Sequence, residues 1–156
     1  MTLIGLISDT HGLLRREAVA ALRGVAQILH LGDIGRPDIL DQLRDIAPVT
    51  AVRGNVDTEE WAQTLPEDAV LSIAGFDLYM LHNLWDMAID PEAAGISVIA
   101  FGHTHKPLVE RRDNFLLVNP GSAGPRRFSL PISVGFLRLS KNAPAEAWVE
   151  TLDIAR

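Results

Sequence analysis

The sequence has 156 residues, of which 47% are hydrophobic and 22% are charged, a composition typical of a globular protein with a substantial core. Its formal net charge of −6 argues against a broad binding face for long nucleic acids, which requires clustered lysine and arginine. The sequence lacks cysteine, an apolar stretch near the roughly 20 residues of a membrane helix, and room for a signal peptide, so we predict a cytoplasmic protein without disulfides or thiolate–metal sites.

The first half of the chain alternates strands with helices. Short apolar runs at 3–8, 26–31 and 48–52 predict strands, and apolar residues at helical spacing predict one helix ending at Gly24 and another beginning at Pro37. Repeated β-α-β units place their strands in parallel, with the carboxyl ends at one edge of the sheet. We therefore expect the polar residues that follow these strands to meet at that edge: Asp9, His11, Asp33 and Asn55.

The second half is rich in predicted antiparallel strands. Strands are predicted at 70–73 and 76–81, joined by a hairpin turn at Ala74-Gly75, and at 97–101, 108–112, 115–118, 132–140 and 147–154. A polar excursion over 57–68 precedes them, and Asp90-Pro91 together with Gly95 predicts one short helix. No linker, repeat or low-complexity stretch divides the chain, so we predict a single domain over residues 1–156.

Five of the predicted strands end in side chains that can bind metal. The set contains four imidazoles, two carboxylates and one amide, which suits Mn²⁺, Fe²⁺, Zn²⁺, Ni²⁺ or Co²⁺. Seven ligands are too many for one catalytic ion, whereas two ions about 3.5–4 Å apart that share a carboxylate accommodate them and suit phosphate ester hydrolysis. The seven residues are Asp9, His11, Asp33, Asn55, His82, His103 and His105.

The chain resembles the calcineurin-like metallophosphoesterase superfamily in an ordered series of motifs. They are Asp9-x-His11, Gly32-Asp33, Gly54-Asn55, His82 and Gly102-His103-Thr104-His105. The chain is also similar to the small prokaryotic phosphodiesterase branch of the superfamily in its short length and in the motif Asn119-Pro120-Gly121-Ser122, which ends the predicted strand at 115–118. The resemblance implies an α/β fold, a four-layer αββα sandwich of two mixed β-sheets.

The resemblance also implies a dinuclear metal site that hydrolyses small phosphodiesters by attack of a metal-bridging hydroxide. Two divalent ions are expected, with Mn²⁺ preferred and Fe²⁺, Zn²⁺, Ni²⁺ or Co²⁺ left open. Asp33 would bridge them and would act with Asn55 and His103 in catalysis. By position, the first ion would be held by Asp9, His11 and His105, and the second by Asn55, His82 and His103.

Two positions depart from the family pattern. Val56 stands where many members have a histidine that assists the leaving oxygen, so we hypothesise a preference for good leaving groups or a metal-bound water as the acid. Asn83 stands where glycine is common. Of the remaining polar residues, His30 is expected to be structural or to orient a ligand, and Asp57 to be a loop residue, with support of a ligand or substrate as its alternative.

Two other functions stay open. A retromer subunit shares this fold and works as a binding scaffold with a weakened metal site, whereas this chain keeps all seven ligand positions. Nuclease action on long nucleic acid is disfavoured by the acidic charge, although short oligonucleotides and cyclic nucleotides remain open. The expected partner is a small phosphate ester, with no membrane and no long nucleic acid; the natural substrate and a homo-oligomer are left open.

Overall fold

The computed structural model describes residues 1–154 and contains two five-stranded β-sheets with few helices. Short 3₁₀ helices lie at Glu60–Thr64 and Leu84–Asp86. The strands and α-helices, in chain order, are β1 (Thr2–Ile7), α1 (Arg16–Leu22), β2 (Gln27–His30), α2 (Pro37–Arg44), β3 (Val49–Ala51), β4 (Asp68–Ile73), β5 (Phe76–Leu81), β6 (Val98–Ala100), β7 (Leu108–Arg112), β8 (Phe115–Asn119), β9 (Ser133–Leu139) and β10 (Glu146–Thr151).

The first sheet has the strand order β10-β9-β1-β2-β3. The parallel unit β1-β2-β3 that the first half of the sequence predicts is confirmed, with Ile7 opposite His30 and His30 opposite Ala51 at the carboxyl ends. The last two strands of the chain return to this sheet, where β9 pairs antiparallel with β1. This long-range return makes the sheet mixed, and local sequence patterns do not encode it.

The second sheet has the order β4-β5-β6-β8-β7 and is also mixed. The hairpin between β4 and β5 is confirmed, and its turn residues Ala74 and Gly75 both have positive φ, at 53° and 84°. The centre of this sheet is parallel, since β6 pairs parallel with both β5 and β8. The second half is therefore less antiparallel than its sequence predicts, and the predicted fold of two mixed sheets is confirmed.

The core lies between the sheets and on the outer face of each. Leu6 of β1 packs in the central cluster with Met80 of β5, whereas the adjacent Ile7 packs on the outer side with Leu22 and Leu43 of the two helices. This change of side follows from the alternating direction of successive side chains in a strand. The packing fixes the sheets relative to each other and brings their carboxyl edges together.

The outer face of the second sheet is covered by irregular chain, and here one sequence prediction is wrong. The segment 90–95 forms turns and not a helix. The Asp90 carboxylate accepts the N–H groups of Glu92 and Ala93, at 3.1 and 3.4 Å, so it caps a turn that is too short to become a stable helix. Leu84 and Ile89 of the surrounding loop pack against the apolar cluster on this face. Within residues 1–154, no helix combines the length and hydropathy needed to cross a membrane.

Candidate metal centre

The sequence-predicted ligands lie where the carboxyl ends of parallel strands meet. Asp9 and His11 follow β1, Asp33 follows β2 and Asn55 follows β3 in the first sheet, while His82 follows β5, and His103 and His105 follow β6, in the second. Parallel strands end at the same edge of a sheet, so each sheet contributes its ligands from one side. Six of the seven residues form two groups of three.

The first group contains Asp9, His11 and His105. One ligand atom from each lies within 4.8 Å of the others, a spacing that can hold one metal ion. Asp9 Oδ1 is 3.7 Å from His11 Nε2 and 3.4 Å from His105 Nε2, and the two imidazole rings have centroids 5.3 Å apart. Asp9 is fully buried, and His105 is also buried, so this group has little contact with solvent.

The second group contains Asp33, His82 and His103, again with ligand atoms within 4.8 Å of one another. Asp33 Oδ2 is 3.2 Å from His82 Nε2, and the ring of His103 meets that of His82 edge-on at 5.2 Å between centroids. Asp33 and His82 are buried, whereas His103 is exposed. This group is therefore open to solvent on the side of His103.

The carboxylates connect the two groups. Asp33 Oδ2 lies 3.6 Å from His11 Nε2 of the first group, and Asp9 Oδ1 lies 3.8 Å from His82 Nε2 of the second. A single carboxylate oxygen of Asp33 thus faces imidazoles of both groups. This arrangement suits a bridging ligand between two neighbouring ions.

Asn55 occupies a different position from the other six. It is exposed and lines, together with His82, a cavity of about 420 Å³ beside the second group. Its amide oxygen is a suitable ligand for a hard or borderline ion. The same cavity is lined by the charged residues Arg53, Glu67, Asp68 and Asp86.

Several buried polar atoms of the site have no hydrogen-bond partner within the described chain. They include Asp9 Oδ1, His11 Nε2, and His82 Nε2. A buried polar atom without a partner is costly, and a lone pair directed at a cation recovers that cost. The donor set and these unpaired atoms together fit divalent metal ions.

Hydrogen bonds from the chain select which ligand atom is free. Asp9 Oδ2 accepts from Ser8 Oγ at 2.7 Å and from the His103 N–H at 3.2 Å, which leaves Oδ1 free. Asp33 Oδ1 accepts the Val56 N–H at 3.1 Å, which leaves Oδ2 free. His82 Nδ1 donates to the Leu31 carbonyl at 2.7 Å, so the lone pair lies on Nε2, which faces Asp33.

Five of the seven candidate ligands share an unusual backbone conformation. Positive φ values occur at Asp9 (56°), His11 (45°), Asp33 (56°), His103 (71°) and His105 (64°). This region is uncommon for residues other than glycine and costs on the order of 1 kcal/mol or more at each position. Its concentration at the candidate ligands indicates that the loops are shaped for the site and held there by the surrounding structure.

Glycines next to the ligands permit a close approach of loops. A Cβ at Gly54 would collide with Asp33 Oδ1, and a Cβ at Gly102 would collide with Ser8 Oγ and lie 2.9 Å from Asp9 Oδ2. Both glycines precede a ligand motif in the sequence. Their lack of a side chain is therefore a condition for packing the carboxylates against the neighbouring loop.

The electrostatics of the site keep its carboxylates ionised. Burial raises the pKa of Asp9, but contacts with His105, His11 and Ser8 outweigh it and hold the pKa well below its usual value. Burial likewise raises the pKa of Asp33, and His82 reverses the effect so that the net shift is downward. For His82, burial lowers the pKa, but the two carboxylates raise it above the ordinary value.

His30 connects the loops that follow β1 and β2, which is the structural one of its two predicted roles. It is fully buried, and its Nδ1 accepts the Gly32 N–H at 3.1 Å. Thr10 Oγ1 donates to the Ile34 carbonyl at 2.8 Å, so it accepts from His30 Nε2 at 3.0 Å. Burial lowers the pKa of His30 to about 4, which keeps the ring neutral and suited to these two bonds.

Two further residues support the site. The sequence predicts no role in it for Asn119, and for Asp57 it gives support of a ligand or substrate only as the alternative to a loop residue. Asn119 is fully buried, and its Nδ2 donates to the Gly102 carbonyl at 3.0 Å and to Thr104 Oγ1 at 3.1 Å, which holds the loop that carries His103 and His105. Asp57, which the sequence suggested was a loop residue, is buried against the loop that follows Asp33. The available signal for Asn119 was its position as the last residue of β8, whereas Asp57 lies well beyond the end of β3.

The departure at Asn83 does not disturb the site. Asn83 has φ −111°, an ordinary extended conformation that needs no glycine, and its Oδ1 accepts the Trp85 N–H at 3.2 Å. Val56 is exposed, with 45% of its surface accessible, beside the candidate ligand Asn55. No imidazole therefore stands at this position.

Comparison with known proteins places these features in a family. The family model of the calcineurin-like phosphoesterase superfamily domain matches residues 2–142. A probable metallophosphoesterase from Methanothermobacter thermautotrophicus is 36% identical over 149 residues, covering 88% of this chain and 86% of that protein. A phosphodiesterase from Methanocaldococcus jannaschii is 26% identical over 167 residues, covering 94% of this chain and 99% of that protein.

The fold is also similar to solved structures. The crystal structure of Vps29 from Entamoeba histolytica complexed with Zn²⁺ aligns with a TM-score of 0.74 at 20% identity, covering 97% of this chain and all of that one. At this level of identity the likeness concerns the fold alone. It confirms that the arrangement of two mixed sheets predicted from the sequence is that of a known fold.

Proposed function

The chain belongs to the calcineurin-like phosphoesterase superfamily, and from that membership we propose that it is a dinuclear metal-dependent phosphodiesterase. The family is one of metal-dependent hydrolases of phosphate esters, and relatives carry the names metallophosphoesterase and phosphodiesterase. The observation that carries the proposal is the pair of three-residue groups and their connection through Asp33. Its Oδ2 lies near His82 Nε2 of its own group and near His11 Nε2 of the other group.

In the proposed site, the first ion is held by Asp9, His11 and His105. The second is held by His82, His103 and Asn55, and Asp33 contacts both. The free oxygen of each carboxylate and the free Nε2 of His82 already face the centre of the site, because the other atoms of these side chains are engaged with the backbone or Ser8. Little rearrangement of the chain is then needed for loading.

Two divalent ions at this position would polarise phosphoryl oxygens and make water a nucleophile at neutral pH. The chain itself contributes orientation and access. Asp33 keeps the two half-sites adjacent, and the exposed His103 and Asn55 lie where a phosphoryl group can approach from solvent. The cavity of about 420 Å³ beside Asn55 and His82 can take one substituent of a small phosphodiester. Mn²⁺ is the proposed ion, with Fe²⁺, Zn²⁺, Ni²⁺ and Co²⁺ as alternatives to compare.

The experiment is hydrolysis of bis-p-nitrophenyl phosphate by protein that has been stripped with EDTA and then reloaded. We expect no turnover by stripped protein and restored turnover with Mn²⁺, with parallel reactions for the other four ions. A monoester, p-nitrophenyl phosphate, serves as the comparison that defines diesterase preference. Metal-independent turnover, or the absence of turnover on any phosphate ester after loading, would overturn the proposal.

The scaffold alternative gains no specific support from the site. All seven predicted ligand positions are present, and six of them form the two groups described above. The likeness to Vps29 concerns the fold and does not favour binding over hydrolysis. Partner binding by a protein that lacks metal-stimulated activity would be the result in favour of the scaffold.

A further inference from the structure

Asp57 is a buried carboxylate for which the proposed chemistry has no direct use. Only 3% of its surface is exposed. None of the ion pairs found within residues 1–154 includes it, so no lysine or arginine compensates its charge. A buried carboxylate requires compensation from hydrogen-bond donors, and these show what Asp57 holds.

The donors come from two different loops. Asp57 Oδ1 accepts the N–H groups of Ile34 and Gly35, both at 3.0 Å, from the loop that follows Asp33. Asp57 Oδ2 accepts the Gly54 N–H at 2.8 Å, from the loop that carries Asn55, and also lies 3.1 Å from the Ile34 nitrogen. One carboxylate thus joins the residue after one ligand to the residue before another.

A hydrogen bond also runs from the loop that carries Asn55 to the carboxylate of Asp33. Asp33 Oδ1 accepts the Val56 N–H at 3.1 Å, so each loop donates a backbone N–H to the carboxylate of the other. The result is a reciprocal clasp, formed by Asp33 and Asp57 with the backbone of residues 34–35 and 54–56. The loop after Asp33 also packs on the other side, where His11 donates its N–H to the Asp33 carbonyl at 2.9 Å.

From this geometry, which rests on the proposed two-ion site, we infer that Asp57 is a positioning residue for the second ion. It fixes the distance between the bridging carboxylate of Asp33 and the amide of Asn55, which is exposed. The hydrogen bonds of Asp57 within residues 1–154 go to Ile34, Gly35 and Gly54, and none goes to His11 or His105. Its contribution to the first ion is therefore expected to be small.

The substitution Asp57→Asn separates this role from a general effect on folding. The amide keeps the size of the side chain, but only one of its two terminal atoms can accept. Whichever way it is turned, its NH₂ group faces an N–H, either of Gly35 or of Gly54. One loop stays capped while the tie between the loops is broken.

The test is Mn²⁺ binding to EDTA-stripped protein. Calorimetry measures the affinity of each ion, and electron paramagnetic resonance distinguishes an isolated ion from a coupled pair. We expect the wild type to bind two ions with a coupled spectrum. In Asp57→Asn, the second ion should bind about tenfold or more weakly, with the first within about threefold of wild type, and the spectrum should become that of an isolated ion at low loading. Circular dichroism verifies the fold.

Asp90→Ala is the matched control. It also removes a carboxylate that accepts two backbone N–H groups, but at an exposed turn away from the ligands. It should bind both ions as the wild type does. Asp57→Ala, which removes every acceptor, should show the same loss as Asp57→Asn or a greater one, and Asp57→Asn alone decides the matter if Asp57→Ala does not fold.

Two results would overturn the inference. One is a folded Asp57→Asn protein that binds both ions with wild-type affinity and retains the coupled spectrum, even if its melting temperature falls. The other is equal weakening of both ions. A wild-type protein that binds fewer than two ions would contradict the proposed two-ion site itself, which is a different failure and is detected with the wild type alone.

Discussion

The two halves of the candidate metal centre differ in burial more than in chemistry. The first half consists of Asp9, His11 and His105, with a fully buried carboxylate at its centre. The second contains the exposed His103 and Asn55 and opens onto a cavity. A buried set of ligands favours retention of its ion, whereas an open set allows substrate atoms to reach the ion that it holds. The comparison suggests that the first half anchors its ion and the second half faces the phosphoryl group.

Asp33 is the proposed bridging ligand between the two halves, and its loss should have the largest effect. Asp33→Asn keeps an oxygen for the Val56 N–H but removes the charge that both groups of imidazoles face. We expect kcat on bis-p-nitrophenyl phosphate to fall by about 10³-fold. Steady-state kinetics on metal-loaded protein measure it, with the exposed Asp41→Asn as the control. Activity within a few fold of wild type would remove Asp33 from its bridging role.

The two histidines at the end of β6 test the division itself. His105→Ala should weaken the first ion, and His103→Ala the second, each by about a hundredfold or more, because each removes a direct ligand from one group only. Metal content after dialysis, measured by mass spectrometry, gives the remaining stoichiometry. Each variant should retain one ion. Loss of both ions from either variant would show that the halves do not bind independently.

His30 lies beneath the buried half and links stability to pH. Its pKa is lowered from 6.5 to about 4 by burial, so its contribution is complete above pH 6.5 and is lost as pH falls toward 4. The shift corresponds to roughly 3 kcal/mol in the free energy of unfolding. Denaturant unfolding in EDTA at about pH 7 and about pH 4 should show that much more loss in the wild type than in His30→Gln. Equal losses in the two proteins would contradict this account of the neutral ring.

Val56 lies on the open half and should have the smallest effect. Introducing an imidazole by Val56→His places a proton donor near the leaving oxygen, and we expect hydrolysis of an alkyl phosphodiester to rise about tenfold relative to bis-p-nitrophenyl phosphate. Val56→Gln is the control, since it is polar but does not titrate. If the wild type already hydrolyses alkyl and aryl diesters equally well, the hypothesis that it prefers good leaving groups is wrong.

The strands that carry the site could be predicted because their apolar runs are short, continuous and followed directly by polar residues. Parallel strands share one edge, so the sequence alone predicts that Asp9 and Asp33 lie close together. The pairing of β9 with β1 could not be predicted in this way, because it joins residues more than a hundred positions apart through side chains that do not specify a partner.

The supporting residues were less accessible to sequence analysis. Whether the Asp57 carboxylate turns inward depends on the conformation of two loops, and its residue type fits an exposed turn equally well. The predicted helix over 90–95 fails for a related reason, since Asp90 caps a turn as readily as a helix. In both places an aspartate accepts hydrogen bonds from nearby backbone N–H groups. Which N–H groups lie within reach depends on the path of the backbone, and the residue type alone does not reveal that path.

The central claim is that catalysis requires both halves of the site, and a metal titration of activity tests it most directly. EDTA-stripped protein is titrated with Mn²⁺ while binding and hydrolysis of bis-p-nitrophenyl phosphate are followed together. The account predicts little activity during binding of the first equivalent and a rise that follows the second. Full activity after one equivalent, or two equivalents bound without hydrolysis, would contradict it.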